Sequence, residues 1–146
     1  MHKTTRILLT CIVLFLAVGQ FFRPDRANPP VNPDATFEAV AKPSPEVAAI
    51  VQRSCYNCHS NTTEWPWYSA IAPVSWFVAN DVHGARAHMN FSRWNEMSTE
   101  KAKQKLMNAC EAVQAGDMPP WDYLMMHKAS KLSDQDIKTL CAAFEK

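Results

Sequence analysis

The feature that most constrains this chain is Cys55-Tyr56-Asn57-Cys58-His59, two thiols three positions apart with an imidazole directly after the second. Five Cys and five His scattered at random over the 146 residues would produce that arrangement only roughly 0.006 times. A thioredoxin-type dithiol expects a βαβ setting and has no use for the following His, and structural zinc wants a second ligand pair at comparable spacing. The chain offers neither. A plain Cys55–Cys58 disulfide stays chemically open in an oxidising compartment. Covalent haem attachment accounts for all three residues: thiols one helical turn apart each add S–H across a haem vinyl group, and the next residue sets imidazole under the iron. The expected cofactor is haem c, with Cys55 and Cys58 as attachment residues and His59 as proximal iron ligand.

The compartment follows from the N-terminus. Ile7 to Phe22 is a mostly apolar run with Lys3 and Arg6 before it and Arg23 after it. As a helix it spans roughly 24 Å at about 1.5 Å per residue, a little short of a hydrocarbon core of roughly 30 Å, and the flanking arginines can snorkel to the two interfaces. Residues 1–23 are expected to be a signal anchor or a cleaved signal peptide, Ala17-Val18-Gly19 being the small residues a peptidase would need. The continuation into Phe21 and Phe22 favours the anchor, and Thr10 before Cys11 disfavours a lipoprotein. Either reading puts the remainder on the periplasmic side of a bacterial cytoplasmic membrane.

Residues 24–43 carry Pro24, Pro29, Pro30, Pro33 and Pro43 without a glycine and are expected to form an extended spacer, leaving 44–146 as the haem domain. Beyond residue 22, 13 basic side chains face 14 acidic ones, since Lys3 and Arg6 drop from the 15 of the whole chain. That balance, with no run of Lys or Arg, excludes nucleic acid as a partner, and 10% aromatics argues against disorder.

Four helical patterns follow. Ser44-Pro45-Glu46 caps one whose apolar positions Val47, Ile50 and Val51 lead to Cys55. Pro73 opens a second, with Val74, Phe77, Val78 and Val82 on one face and Gly84 placed to end it. Ser98 caps a third carrying Leu106, Ala109, Cys110 and Val113, with Gly116 as its stop. Ser133 with Asp136 makes a capping box, Leu132 and Ile137 a staple, and Leu140, Cys141 and Phe144 the stripe of the last helix. With no alternating strand and no repeat, the fold class is all-α.

For the sixth iron position Met118 leads, in Gly116-Asp117-Met118-Pro119-Pro120, because two prolines hold extended backbone and a thioether suits Fe(II); His127 and His88 are the alternatives. Met125 and Met126 are expected to fill core. Trp65, Trp67, Tyr68 and Trp76 form a candidate haem wall, and Arg86 and His88 could neutralise propionates, against the blander readings of core aromatics and solvated surface. Cys110 and Cys141, both on apolar stripes, are either bridged or packed as free thiols.

The helix running into C-x-x-C-H, the Met-Pro loop and the capped last helix resemble class I cytochromes c, in which the first and last helices cross beside the haem. The chain is more closely similar to the small bacterial haem-binding-domain family of cytochrome c-like proteins. The similarity runs through Phe22-Arg23-Pro24, Asn28-Pro29-Pro30, Cys55 to Asn61, Trp65 to Tyr68, Ile71 to Trp76, Asn90-Phe91-Ser92, Trp94, Gly116 to Trp121, Tyr123, His127 and Leu132-Ser133. It covers nearly the whole chain, with His83-Gly84 the place where it is weakest. It implies a cytochrome c-like helical domain around covalent haem c, exported and tethered by its N-terminal helix. By the same analogy, the carbonyl of Pro73 or a neighbour would accept from the second ring nitrogen of His59. The expected function is one-electron transfer by a His59/Met118-ligated carrier, not an enzyme, serving redox proteins of the periplasm or membrane. The alternatives are a peroxidase-like or gas-sensing haem with a displaceable sixth position, using His127 or His88 as acid or base, and a haem subunit of a larger oxidoreductase.

Overall fold

The computed structural model describes residues 3–145. The described residues form eight α-helices and four short 3₁₀ turns, and no strand. Helix α1 is Lys3–Gly19, α2 Phe37–Ala41, α3 Pro45–Ser54, α4 Tyr56–His59, α5 Val74–His88, α6 Thr99–Ala115, α7 Trp121–Met126 and α8 Asp134–Phe144.

Local chemistry sets most of these ends. The Ser44 hydroxyl accepts from the Val47 N–H and Pro45 occupies the first turn of α3. Ser98 accepts from Lys101 N–H, and Gly116, at φ 80°, ends α6 in the left-handed region that a side chain would strain. Ser133 and Asp136 close a reciprocal capping box on α8, and Asp136 also meets the Arg53 guanidinium on α3 at 3.0 Å. Helix α5 begins after Pro73 as expected but runs through Gly84 to His88. A glycine within a helix costs only about 1 kcal/mol, and the helix keeps packing on α4 past that point.

The core lies where α3 crosses α8. Val47, Ile50 and Val51 meet Leu140 and Phe144, and the turn Phe91–Glu96 adds Phe91 and Trp94. Aromatic rings order this core: Phe37 sits edge-on to Phe91 at 5.3 Å and to Trp94 at 5.0 Å, while Phe91 stacks on Trp94 at 5.5 Å and on Tyr56 at 5.4 Å. A disulfide joins Cys110 to Cys141, tying α6 to α8 beside Val113, with Leu132 and Ile137 packed against the pair.

Phe37 corrects the expected spacer. Residues 24–43 do not stand free: Phe37 is only 2% exposed at the centre of the aromatic cluster and Ala35 is buried. The Pro30 carbonyl accepts from the Asn61 side chain, the Asn28 amide donates to the Thr63 carbonyl, and the Tyr56 hydroxyl donates to Glu38. Proline keeps residues 24–32 out of helix, a 3₁₀ turn at Pro33–Ala35 and α2 follow, and the segment's sparse apolar and amide side chains find partners that make it an arm wrapped on the domain. Among the described residues no helix is long and apolar enough to cross a membrane, because α1 has 17 residues, or about 25 Å.

If the arm is part of the core, Phe37→Ala should lower unfolding free energy by about 3–5 kcal/mol. A free spacer would give a change near zero in denaturant melts.

Candidate functional site

Helix α3 delivers Cys55, and the chain turns at once into the single turn α4, where the N–H groups of Cys58 and His59 both point to the Cys55 carbonyl, at 3.2 and 2.9 Å. Cys55 and Cys58 therefore stand one turn apart, both partly buried and unbridged. Burial, with Cys58 beside it, pushes the Cys55 thiol up to about 12. Burial, then Asp81, pushes Cys58 up to about 11, with Asp122 adding to it and Arg86 opposing.

His59 is held from behind. Its Nδ1 lies 3.1 Å from the Met89 carbonyl, and since a carbonyl only accepts, Nδ1 carries the proton and Nε2 keeps its lone pair. Burial lowers its pKa, a shift that the Met89 and Ala85 carbonyls oppose. The acceptor behind the ring is thus Met89, just past the end of α5, not Pro73, whose carbonyl accepts the Trp76 N–H instead.

Arg86 supports the same turn. Its guanidinium donates to the Ser60 carbonyl at 2.7 Å, Thr63 Oγ1 at 2.8 Å, Asn28 Oδ1 at 2.6 Å and the Ala27 carbonyl at 3.3 Å. Thr63 passes the chain of bonds on to the Asn57 carbonyl. An arginine so occupied is a clamp between the arm and the Cys55–His59 turn, which corrects the reading of it as a propionate partner. His88 is exposed at the end of α5, next to Met89.

The aromatic residues divide. Trp65 donates its indole N–H to Asn28 on the arm, and Trp76 to the Phe22 carbonyl just after α1. Tyr68 faces Cys58 and meets His127 Nε2 at 2.8 Å. His127 stacks on Tyr123 with centroids 4.2 Å apart, and Asn57, between the two cysteines, donates to the Tyr123 hydroxyl at 2.9 Å. The charges of Asp81 on α5 and Asp122 on α7 both raise the Cys58 pKa. Helices α5 and α7 and the Trp67–Ala70 turn leave Trp67, Phe77 and Trp121 exposed at 72%, 69% and 76%. Met125 and Met126 are exposed as well, which corrects their assignment to the core. Met118 is partly exposed on the loop between α6 and α7, where its N–H and that of Asp117 are held by the Ala112 carbonyl.

The donor set fits a haem: two unbridged thiols on one turn, an imidazole with its far nitrogen fixed and its near nitrogen free, and uncovered apolar side chains on the surrounding elements. Among the described residues no three His, Cys, Asp or Glu side chains gather to hold a bare metal ion. A surface cavity of about 240 Å³ is lined by Arg86, His88 and Met89, and one of about 430 Å³ by Pro30, Asn61 and Ser92. The sequence reading missed the Met89 carbonyl, the Arg86 clamp and the Tyr68–His127 pair. Arg86 sits seven residues after Ala79 on the buried side of α5, and that position for a cation was the one available signal.

The sequence model of a family described as a haem-binding domain matches residues 14–146. No curated protein and no solved structure matches the chain.

Replacing Arg86 by Met should cost at least about 2 kcal/mol in denaturant unfolding, since bonds to a charged donor contribute about 1.5–3 kcal/mol each before exposure discounts them. Arg86→Lys should recover little of it, because one ammonium cannot span four acceptors.

Proposed function

The chain belongs to the haem-binding domain family, and on that premise we propose that it is an exported c-type cytochrome domain carrying one electron at a time. The observation that carries this reading is the His59 side chain, with Nδ1–H given to the Met89 carbonyl and Nε2 left as a lone-pair donor beside two unbridged thiols. Cys55 and Cys58 would hold the haem as thioethers and His59 would ligate its iron. The bound group supplies a one-electron couple at the iron.

The protein's own part is positional. Met89 fixes the imidazole's tautomer and direction. Arg86 and Thr63 keep the attachment turn rigid, which limits the rearrangement that accompanies a change of charge. Met118 is the sixth ligand in this reading: its loop is anchored on Ala112, and the His127 Nε2 is engaged by Tyr68. A thioether there would raise the potential relative to a second imidazole. The apolar run from Ile7 to Phe22 between basic residues supports export, with the haem domain on the periplasmic side and redox proteins of that compartment or its membrane as partners.

Protein matured with a haem-ligation system should keep its haem through a denaturing gel, and Cys55→Ser/Cys58→Ser should lose it. The unaltered protein should show the weak far-red band of iron–methionine ligation and little reaction with carbon monoxide. Met118→Ala should abolish the band and open the iron to carbon monoxide. A five-coordinate, high-spin ferrous haem in the unaltered protein would exclude the carrier and favour a catalytic or sensing haem.

A further inference from the structure

Helix α1 ends in a built joint. Gly19 is its one buried residue, and a Cβ there would come within 3.4 Å of the Trp76 ring and 3.6 Å of the Ala72 side chain. Gln20 pairs with Ala72 in both directions, its Nε2 donating to the Ala72 carbonyl and its Oε1 accepting the Ala72 N–H, each at 3.1 Å. The Trp76 indole N–H donates to the Phe22 carbonyl at 2.7 Å. The helix therefore leaves the domain in a fixed direction, with no slack at its root.

Up to that joint every described residue of α1 is exposed. Its large apolar side chains from Ile7 to Val18 are each 39–63% exposed. Residues 12–16 alone complete a full turn, so no stripe of the helix is reserved for a protein neighbour, as a docked helix would require. Around the joint, Phe21, Phe22, Ile71 and Val74 are also exposed, at 87%, 68%, 46% and 42%. Cations bracket the apolar length, with Lys3 and Arg6 at one end and Arg23 and Arg26 at the other. A medium that is apolar on every side and anionic at both faces is a phospholipid bilayer.

We propose that Phe21, Phe22, Ile71 and Val74 form an apolar collar by which the haem domain itself sits in the acyl–headgroup boundary, at the root of a lipid-embedded α1. The short helix is the reason for the collar. Seventeen residues reach about 25 Å against a hydrocarbon thickness of about 30 Å, and a helix too short for its bilayer is accommodated by drawing flanking groups inward. Because the joint is rigid, what is drawn inward is the domain surface beside it. The collar rests on the membrane location proposed above, and on nothing in the haem assignment.

The test uses full-length, haem-loaded protein in vesicles of phosphatidylcholine and phosphatidylglycerol. Nitroxides are placed one at a time at Phe15→Cys, Ile71→Cys and Gln104→Cys in a Cys11→Ser background. Collision with oxygen, which concentrates in lipid, is compared with collision with a water-soluble nickel chelate. Ile71 should favour oxygen, as Phe15 does, and Gln104, exposed on α6, should favour the chelate. Chelate preference at Ile71 with oxygen preference at Phe15 removes the collar and leaves the membrane location standing. Chelate preference at both sites removes both. Spin–spin broadening at Ile71 that dilution with unlabelled protein relieves would assign the patch to a second copy and overturn the proposal.

Discussion

The Cys55–His59 turn is gripped from one side by the last turns of α5. The Met89 carbonyl takes the His59 Nδ1–H, and three residues earlier Arg86 takes the Ser60 carbonyl and Thr63. Four residues of α4 cannot hold themselves, since an isolated single turn has one or two hydrogen bonds against several fixed dihedrals. Everything the turn presents outward depends on that grip: the direction of the free imidazole nitrogen, the one-turn offset of the thiols, and the side on which a sixth ligand can stand. The opposite side is furnished by α7 and the Trp67–Ala70 turn, joined through Tyr68 and His127, so the site is a seam between elements rather than a pocket within one.

The same arginine reaches the arm, through Ala27 and Asn28, and the arm reaches the core through Phe37. A domain of this size buries a limited share of its chain, and three aromatic neighbours around Phe37 supply apolar area that the helices α3 and α8 alone would lack. Residues 24–43 therefore belong to the fold that carries the site.

The legible parts of the sequence were the local ones. Ser44 with Pro45, Ser98 with Gly116, and Ser133 with Asp136 act across three or four positions or at a single φ, so their spacing states the structure directly. The attachment turn is legible for the same reason. The contacts that orient it are not, because His59 to Met89 and Arg86 to Asn28 span 30 and 58 residues, and one partner in each case is a backbone or amide group that any sequence could supply. Gly84 was misread because a helix end needs a lost neighbour as well as a flexible residue, and α4 remains beside α5 there. The prolines of the arm revealed its extended backbone but not what lay beneath it. The acceptors of the Trp65 and Trp76 indoles, Asn28 and the Phe22 carbonyl, are likewise invisible from composition.

The Cys110–Cys141 bond has a consequence for how the chain matures. Four cysteines beyond α1 admit three pairings, and two of them would consume the thiols of the attachment turn in partners from α6 and α8. Packing α6 against α8 brings Cys110 and Cys141 to a Cα separation of 5.2 Å, while Cys55 and Cys58 lie at the end of α3 and in α4. The bridge thus keeps one pair out of circulation and leaves the thiols of the Cys55–His59 turn unbridged.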